Sequence, residues 1–116
     1  MALADLHCEA IPAGVPPLPN EEATRLSGEI PLWSLRDATL TREWTFKDFP
    51  HAMEFVDRVA GIAQQENHHP DIYISYNKVR LELSTHKIGG LSMNDFILAA
   101  KIDRLLEEEW RNQFAA

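Results

Sequence analysis

The stretch Asn67-His68-His69-Pro70 limits the possible folds of this chain more than any other, because it fixes where a helix must stop. The proline ring disfavours the helical conformation of His69, so a helix that approaches from the N-terminal side ends before that residue. In the extended segment that follows, neighbouring side chains point to opposite sides. One imidazole can therefore face a pocket while the other faces the protein.

Hydrophobic periodicity and capping residues predict three helices around this stretch. A short helix is expected from about 21 to 27, capped by Asn20. An amphipathic helix of about sixteen residues is expected to start at Asp48-Phe49-Pro50 and to end near Glu66. A long helix is expected to begin at the capping-box pattern Ser92-x-x-Asp95 and to run to about residue 113.

Two segments ahead of the central helix alternate apolar and polar residues, which predicts a pair of strands. They cover Leu32–Arg36 and Thr39–Phe46, with Asp37-Ala38 as the turn between them. Arg42 interrupts the apolar side of the second segment, and this interruption indicates that Arg42 lies near an edge of the sheet.

A second hairpin is predicted directly after Pro70. Its strands are Ile72–Tyr76 and Val79–Thr85, and the two residues Asn77-Lys78 join them. Every second residue from Val79 onward is apolar or Thr, so this strand presents one face to the core. His86 is expected to start on the opposite face.

These elements predict an α+β fold, namely a four-stranded antiparallel sheet with three helices packed on one face in the order α-β-β-α-β-β-α. Residues 20–116 are expected to form this single domain. Residues 1–19 are predicted to be a flexible Pro-rich arm in which His7 and Cys8 are incidental. The uncovered sheet face and the free edge strands favour self-association, so a homodimer or homotetramer is expected.

Charge and composition exclude several classes of function. The net charge of −7 argues against direct, non-specific binding of nucleic acid, which needs a basic face. The single cysteine, Cys8, rules out an internal disulfide and a cysteine-cluster metal site. No apolar run approaches the roughly 18 residues of a membrane-spanning helix, and no signal peptide is recognised. We expect a soluble, cytoplasmic protein.

Three interpretations of His68, His69 and His86 compete on the residues alone. They can be a polar turn and a strand end without chemical function. They can belong to a metal site completed by Asp71 or Asp95, although adjacent histidines on an extended backbone diverge. They can also act as acid and base on a small polar molecule, because histidine exchanges protons near neutral pH.

Four motifs together resemble the pterin-4a-carbinolamine dehydratase family. They are Asn67-His68-His69-Pro70, Tyr76-Asn77-Lys78-Val79, Leu83-Ser84-Thr85-His86 and Gly90-Leu91-Ser92-x-x-Asp95. The run Phe46-Lys47-Asp48-Phe49 also matches, and the similarity covers about residues 20–113. The family's fold has the same order of elements as the one predicted above.

The resemblance implies a hydro-lyase of tetrahydrobiopterin recycling that uses no metal and no cofactor. Such enzymes eliminate water from a 4a-hydroxytetrahydropterin and give the quinonoid dihydropterin. By position, His68 and His86 would be the acid–base pair, with His69 placing the substrate or sharing their work. The substrate-binding residues would be Asn67, Ser84, Thr85 and Asp95. The resemblance also implies functional coupling to an aromatic amino-acid hydroxylase.

Three positions depart from the family pattern. Gln64 stands where the family has a charged residue four positions before the first histidine. Asn67 replaces an acid found in many members, and Ile72 replaces a frequent tryptophan. Animal members also act as dimerisation cofactors of a homeodomain transcription factor. The alternative function is therefore a non-enzymatic binding protein that keeps the fold for protein partners.

Overall fold

The computed structural model describes residues 2–107, and within that range its three α-helices and four strands follow the predicted order α-β-β-α-β-β-α, with short 3₁₀ turns at Leu3–Asp5 and His86–Ile88. The strands form one antiparallel sheet in the order β1-β2-β4-β3. They are β1 (Ser34–Arg36), β2 (Thr39–Thr45), β3 (Asp71–Ser75) and β4 (Lys78–Leu83). The helices are α1 (Asn20–Ser27), α2 (Phe49–Glu66) and α3 (Met93–Arg104). None of these helices combines the length and the apolar character that crossing a membrane requires.

The core lies between one face of the sheet and the helices, as the alternation predicted. On the two central strands, Leu40 of β2 and Leu81 and Leu83 of β4 are completely buried. Phe55 of α2 and Phe96 of α3 are completely buried in the same cluster. Each such side chain contributes about 1.5–3 kcal/mol by leaving water. The α+β class and the helices on one sheet face are confirmed.

The ends of α2 are fixed by side-chain and backbone caps. Asp48 accepts a hydrogen bond from the His51 N–H at 2.9 Å and so satisfies one of the free amides of the first turn. At the other end Asn67 adopts a left-handed conformation with φ of 53°. The His68 N–H then returns to the Ala63 carbonyl at 3.1 Å, as in a Schellman motif. This cap stops the helix and turns the histidine pair away from its axis.

Several predicted boundaries were wrong by a few residues. Helix α1 includes Asn20, and Pro19 stands at its N-cap position. The turn of the second hairpin is Tyr76-Asn77, because Ser75 pairs with Lys78. The Asn77 side-chain amide donates to the Phe46 carbonyl at 2.7 Å, and this hydrogen bond stabilises the register. Helix α3 ends at Arg104, and the predicted continuation through 108–113 lies outside the described residues.

The expectation that Arg42 lies near an edge holds locally: β2 lies between β1 and β4, but β1 pairs only with Thr39–Thr41 and does not reach Arg42. Arg42 is tolerated inside the sheet because its Nη1 donates to Asp103 Oδ1 at 2.6 Å. Its guanidinium also lies 4.6 Å from the centre of the Trp44 ring. A partly buried cation is acceptable when it is paired in this way.

The N-terminal segment packs on the domain instead of extending from it as a flexible arm. Leu3 is buried in the core cluster, and the Leu18 N–H donates to the Leu91 carbonyl at 2.9 Å. Gly90 packs so closely that a Cβ there would lie 2.6 Å from Pro17 Cβ. The proline-rich sequence shows no hydrophobic periodicity, so these tertiary contacts could not be predicted from the sequence pattern. The division of the chain at residue 20 stays a prediction.

Candidate active site

A cleft of about 310 Å³ opens where the end of α2, the segment after β4 and the start of α3 meet. The N-terminal segment closes its fourth side. The cleft contains all three candidate histidines and three of the four predicted substrate-binding residues. Its lining consists of Glu9, Ala10, Ile11, Asn67, His68, His69, Ser84, Thr85, His86, Lys87 and Asn94. The sequence had not indicated the residues from the N-terminal segment, Lys87 or Asn94.

His68 is held by a buried carboxylate. Its Nε2 lies 2.6 Å from Asp95 Oδ1, and the two side chains are 12% and 0% exposed. Asp95 Oδ2 accepts two further hydrogen bonds, from Thr85 Oγ1 at 2.8 Å and from the Ser92 N–H at 2.9 Å. A carboxylate surrounded by donors serves as an acceptor, so His68 Nε2 carries the proton of this pair. The neutral imidazole therefore presents Nδ1 as its acceptor.

Asp95 combines a structural and a positioning role. It forms the capping box of α3 with Ser92, as the sequence predicted. The Ser92 and Thr85 hydroxyls lie 2.8 Å apart, which completes a buried network behind the cleft. Because Asp95 is completely buried and does not line the cleft, it acts on a ligand only through His68. The predicted direct contact of Asp95 with substrate does not fit this placement.

His69 and His86 lie on the open side of the cleft. His69 Nε2 is 3.0 Å from Gln64 Oε1, so the residue that departs from the family pattern supports the second histidine of the pair. His86 begins a 3₁₀ turn after β4 has ended, and its side chain is 77% exposed. Its Nε2 lies 3.9 Å from Asp71 Oδ2, beyond hydrogen-bond distance. His86 is thus far more accessible than His68, whose side chain is 12% exposed.

Metal ligation finds no support in this geometry. Across residues 2–107, no three histidine, cysteine, aspartate or glutamate side chains are grouped as an ion would require. Asp95, which was considered as a fourth ligand, is occupied by hydrogen bonds to His68, Thr85 and Ser92. The donor set therefore suits proton transfer better than coordination.

Glu66, the last residue of α2, fastens the N-terminal segment beside the cleft. Its carboxylate is 5% exposed and accepts from the Cys8 N–H at 2.7 Å and from His7 Nδ1 at 2.9 Å. Burial acts to raise the pKa of this carboxyl, but the hydrogen bonds from Cys8 and His7 and the charge of Lys101 outweigh it. The pKa of Glu66 consequently lies below the ordinary value of 4.5. His7 and Cys8 are therefore structural contacts and not incidental residues.

Cys8 is unsuited to nucleophilic chemistry. Burial, assisted by the negative charge of Glu66, raises the pKa of its thiol to about 12. The Sγ atom donates to the Asn94 carbonyl at 3.5 Å. Because the thiolate is the reactive form, this thiol stays inert near neutral pH.

Replacing Glu66 by glutamine is expected to lower the free energy of unfolding by about 1–3 kcal/mol at pH 7, since one of the two hydrogen bonds to this buried side chain loses its acceptor. A carboxyl with a lowered pKa stabilises the folded state above its unfolded-state pKa, and this contribution disappears as pH falls through the folded-state pKa. The difference between the two proteins should therefore shrink below about pH 4.5. Urea unfolding at pH 7 and pH 3.5 measures it.

Glu54→Gln is the matched control, because Glu54 is an exposed residue of the same helix. Amide hydrogen exchange at Cys8 and Glu9 locates the effect: it should accelerate in Glu66→Gln and stay unchanged in Glu54→Gln. Equal unfolding free energies of the Glu66 variant and the unmodified protein would contradict the fastening role.

Sequence comparison identifies relatives over most of the chain. A family model described as pterin 4 alpha carbinolamine dehydratase matches residues 16–105. A protein of Nitrosomonas eutropha is 49% identical over 105 residues, covering 90% of this chain and 93% of its own. A protein of Rubrobacter xylanophilus is 43% identical over 104 residues, covering 89% and 97%. Both carry the provisional name pterin-4-alpha-carbinolamine dehydratase.

Two solved structures share the fold. One is a transcriptional coactivator/pterin dehydratase from Brucella melitensis, with a TM-score of 0.73 and 30% identity over 77% of this chain and 97% of its own. The other is a pterin dehydratase-like protein described as a RuBisCO assembly factor in the alpha-carboxysome. Its TM-score is 0.54 with 18% identity over 65% of this chain and 87% of its own, a similarity that concerns the fold alone.

Proposed function

The chain belongs to the pterin 4 alpha carbinolamine dehydratase family, and on that premise we propose that it eliminates water from a 4a-hydroxytetrahydropterin. One observation carries the proposal: His68 is oriented by the buried Asp95 and lines a cleft with two further histidines. Orientation of an imidazole by a carboxylate is an arrangement that supports general base catalysis by histidine. A purely structural histidine pair needs no such cleft.

The reaction needs two proton transfers. The C4a–O bond breaks as the hydroxyl accepts a proton and leaves as water, and the ring N5–H bond breaks as C4a=N5 forms. We assign the base to His68, because its Nε2–H is committed to Asp95 and its Nδ1 is free to accept a proton. The carboxylate then stabilises the imidazolium that forms. We assign the acid to His86, whose exposed ring can be protonated from solvent.

The other cleft residues have supporting roles in this proposal. His69, held by Gln64, places the substrate, and Asn67 and Ser84 offer hydrogen-bonding groups along the wall. Thr85 donates its hydroxyl hydrogen to Asp95, so its contribution is to the orientation of that carboxylate. Each proton transfer by a well-placed side chain is worth about 10²–10⁴ in rate.

Stopped-flow absorbance tests the proposal directly. A 4a-hydroxytetrahydropterin is generated in the instrument, and its decay is followed with and without the protein. Decay that accelerates in proportion to protein concentration and yields the quinonoid dihydropterin supports dehydration. Decay at the spontaneous rate would rule it out and leave the binding function.

The second candidate is a protein-binding role, which one surface favours. Tyr73 and Ile74 on the edge strand β3 and Tyr76 in the adjoining turn are 45%, 41% and 66% exposed. Exposed aromatic side chains at a strand edge are typical of association surfaces. The same surface supports the homodimer or homotetramer expected from the sequence. That oligomeric state stays a prediction, which a monomeric mass in light scattering at micromolar concentration would contradict.

A further inference from the structure

At Glu9 the N-terminal segment forms one wall of the cleft, and hydrogen bonds hold this wall in place. The Glu9 N–H donates to Asn94 Oδ1 at 3.0 Å, and Asn94 Nδ2 donates back to the Glu9 carbonyl at 2.7 Å. Asn94 is 94% buried, since only 6% of it is exposed. Both peptide groups of Glu9 are therefore held by one fixed side chain, while Glu66 anchors the preceding residue. Such a backbone is pre-organised for binding.

Glu9 differs from every other residue around the cleft in its charge. Among the described residues that line it, Glu9 alone carries a carboxylate, because Asp95 is buried behind His68. The Glu9 side chain is exposed and makes no hydrogen bond or ion pair with any residue of the 2–107 range. Nothing in the fold requires an acid here, so the carboxylate is available to a ligand.

We propose that Glu9 recognises the aminopyrimidinone edge of the pterin and so determines specificity at the site of the proposed dehydration. That edge presents two parallel donors, the ring N3–H and the 2-amino group, which match the two oxygens of a carboxylate. The histidines act on the opposite, reduced ring, where the hydroxyl leaves. The inference rests on the proposed function for the identity of the ligand.

The test compares two ligands and two proteins. Fluorescence titration measures the affinity for a dihydropterin without the 4a-hydroxyl group and for the corresponding lumazine, in which an oxo group replaces the 2-amino group. The unmodified protein should bind the pterin at least about tenfold more tightly, because an acceptor opposite a carboxylate is repelled. Glu9→Gln should lose most of this preference and raise KM about tenfold with kcat little changed.

The control and the outcomes separate this inference from the proposed activity. Glu54→Gln removes an exposed carboxylate elsewhere and should preserve the pterin preference. If the protein binds or turns over the pterin and Glu9→Gln keeps the full preference, the role of Glu9 is refuted while dehydration stands. If the protein prefers the pterin through Glu9 but does not accelerate dehydration, the recognition stands and the activity fails. Absence of both binding and turnover overturns the two together.

Discussion

Replacing His68 by glutamine is expected to lower kcat for dehydration by about 10²–10⁴-fold, the range for loss of one general base. Glutamine is the appropriate replacement because its amide can still donate to the buried Asp95 carboxylate, which therefore keeps a partner. What it cannot do is accept and hold a proton near neutral pH. KM should change far less than kcat, since the lost interaction belongs to the transition state. Stopped-flow measurements over a range of substrate concentrations give both constants.

His51→Gln is the matched control for this variant. His51 lies in the first turn of α2 and does not line the cleft, so its replacement should leave kcat within about twofold. Thermal unfolding of both variants shows whether the fold survives. A folded His68→Gln protein that keeps the unmodified kcat would remove His68 from the proposed mechanism and direct attention to His69.

The order of the elements was predictable because the local signals agree with the tertiary structure. The buried face of β2 follows from the apolar–polar alternation in Thr39–Thr45. The buried face of α2 follows from the spacing of apolar residues in Phe49–Glu66. The errors arose where a distant contact overrides the pattern. The partner of Arg42 is Asp103, which is remote in sequence, so the strand pattern does not reveal this contact. The hairpin turn shifted by one residue because Asn77 bonds to the backbone of Phe46.

The site was predictable only in part for the same reason. The three histidines fall in short motifs, so the sequence identified all three as candidate site residues. The capping-box pattern disclosed that Asp95 is structural but not that its other oxygen orients His68. No sequence pattern places Glu9 at the cleft, because its position depends on Asn94. Asn94 is buried between the capping positions of α3. Sequence thus locates the groups proposed for proton transfer, while the walls of the cleft come from tertiary packing.

Replacing Asp95 by asparagine should separate the structural role of this residue from its role in orientation. The remaining oxygen can still accept from the Thr85 hydroxyl and the Ser92 N–H, and the new amide group then faces His68 Nε2. An amide donor there forces the His68 proton onto Nδ1, so the atom proposed to accept the substrate's proton becomes a donor. We expect kcat to fall by about 10²–10⁴-fold from the wrong tautomer. Unfolding free energy should fall by only about 1–3 kcal/mol.

Nitrogen NMR of the His68 ring distinguishes this explanation from simple loss of stability, because it reports which ring nitrogen carries the proton. The matched control is Ser92→Ala, which removes a hydroxyl from the network without touching the His68–Asp95 contact. It should lower stability by about 0.5–2 kcal/mol as a lost cap while preserving tautomer and kcat. If Asp95→Asn lowers kcat while the proton stays on Nε2, the orientation mechanism is wrong. If Ser92→Ala slows the reaction as much as Asp95→Asn does, the network as a whole matters, and the carboxylate has no separate part in setting the protonation of His68.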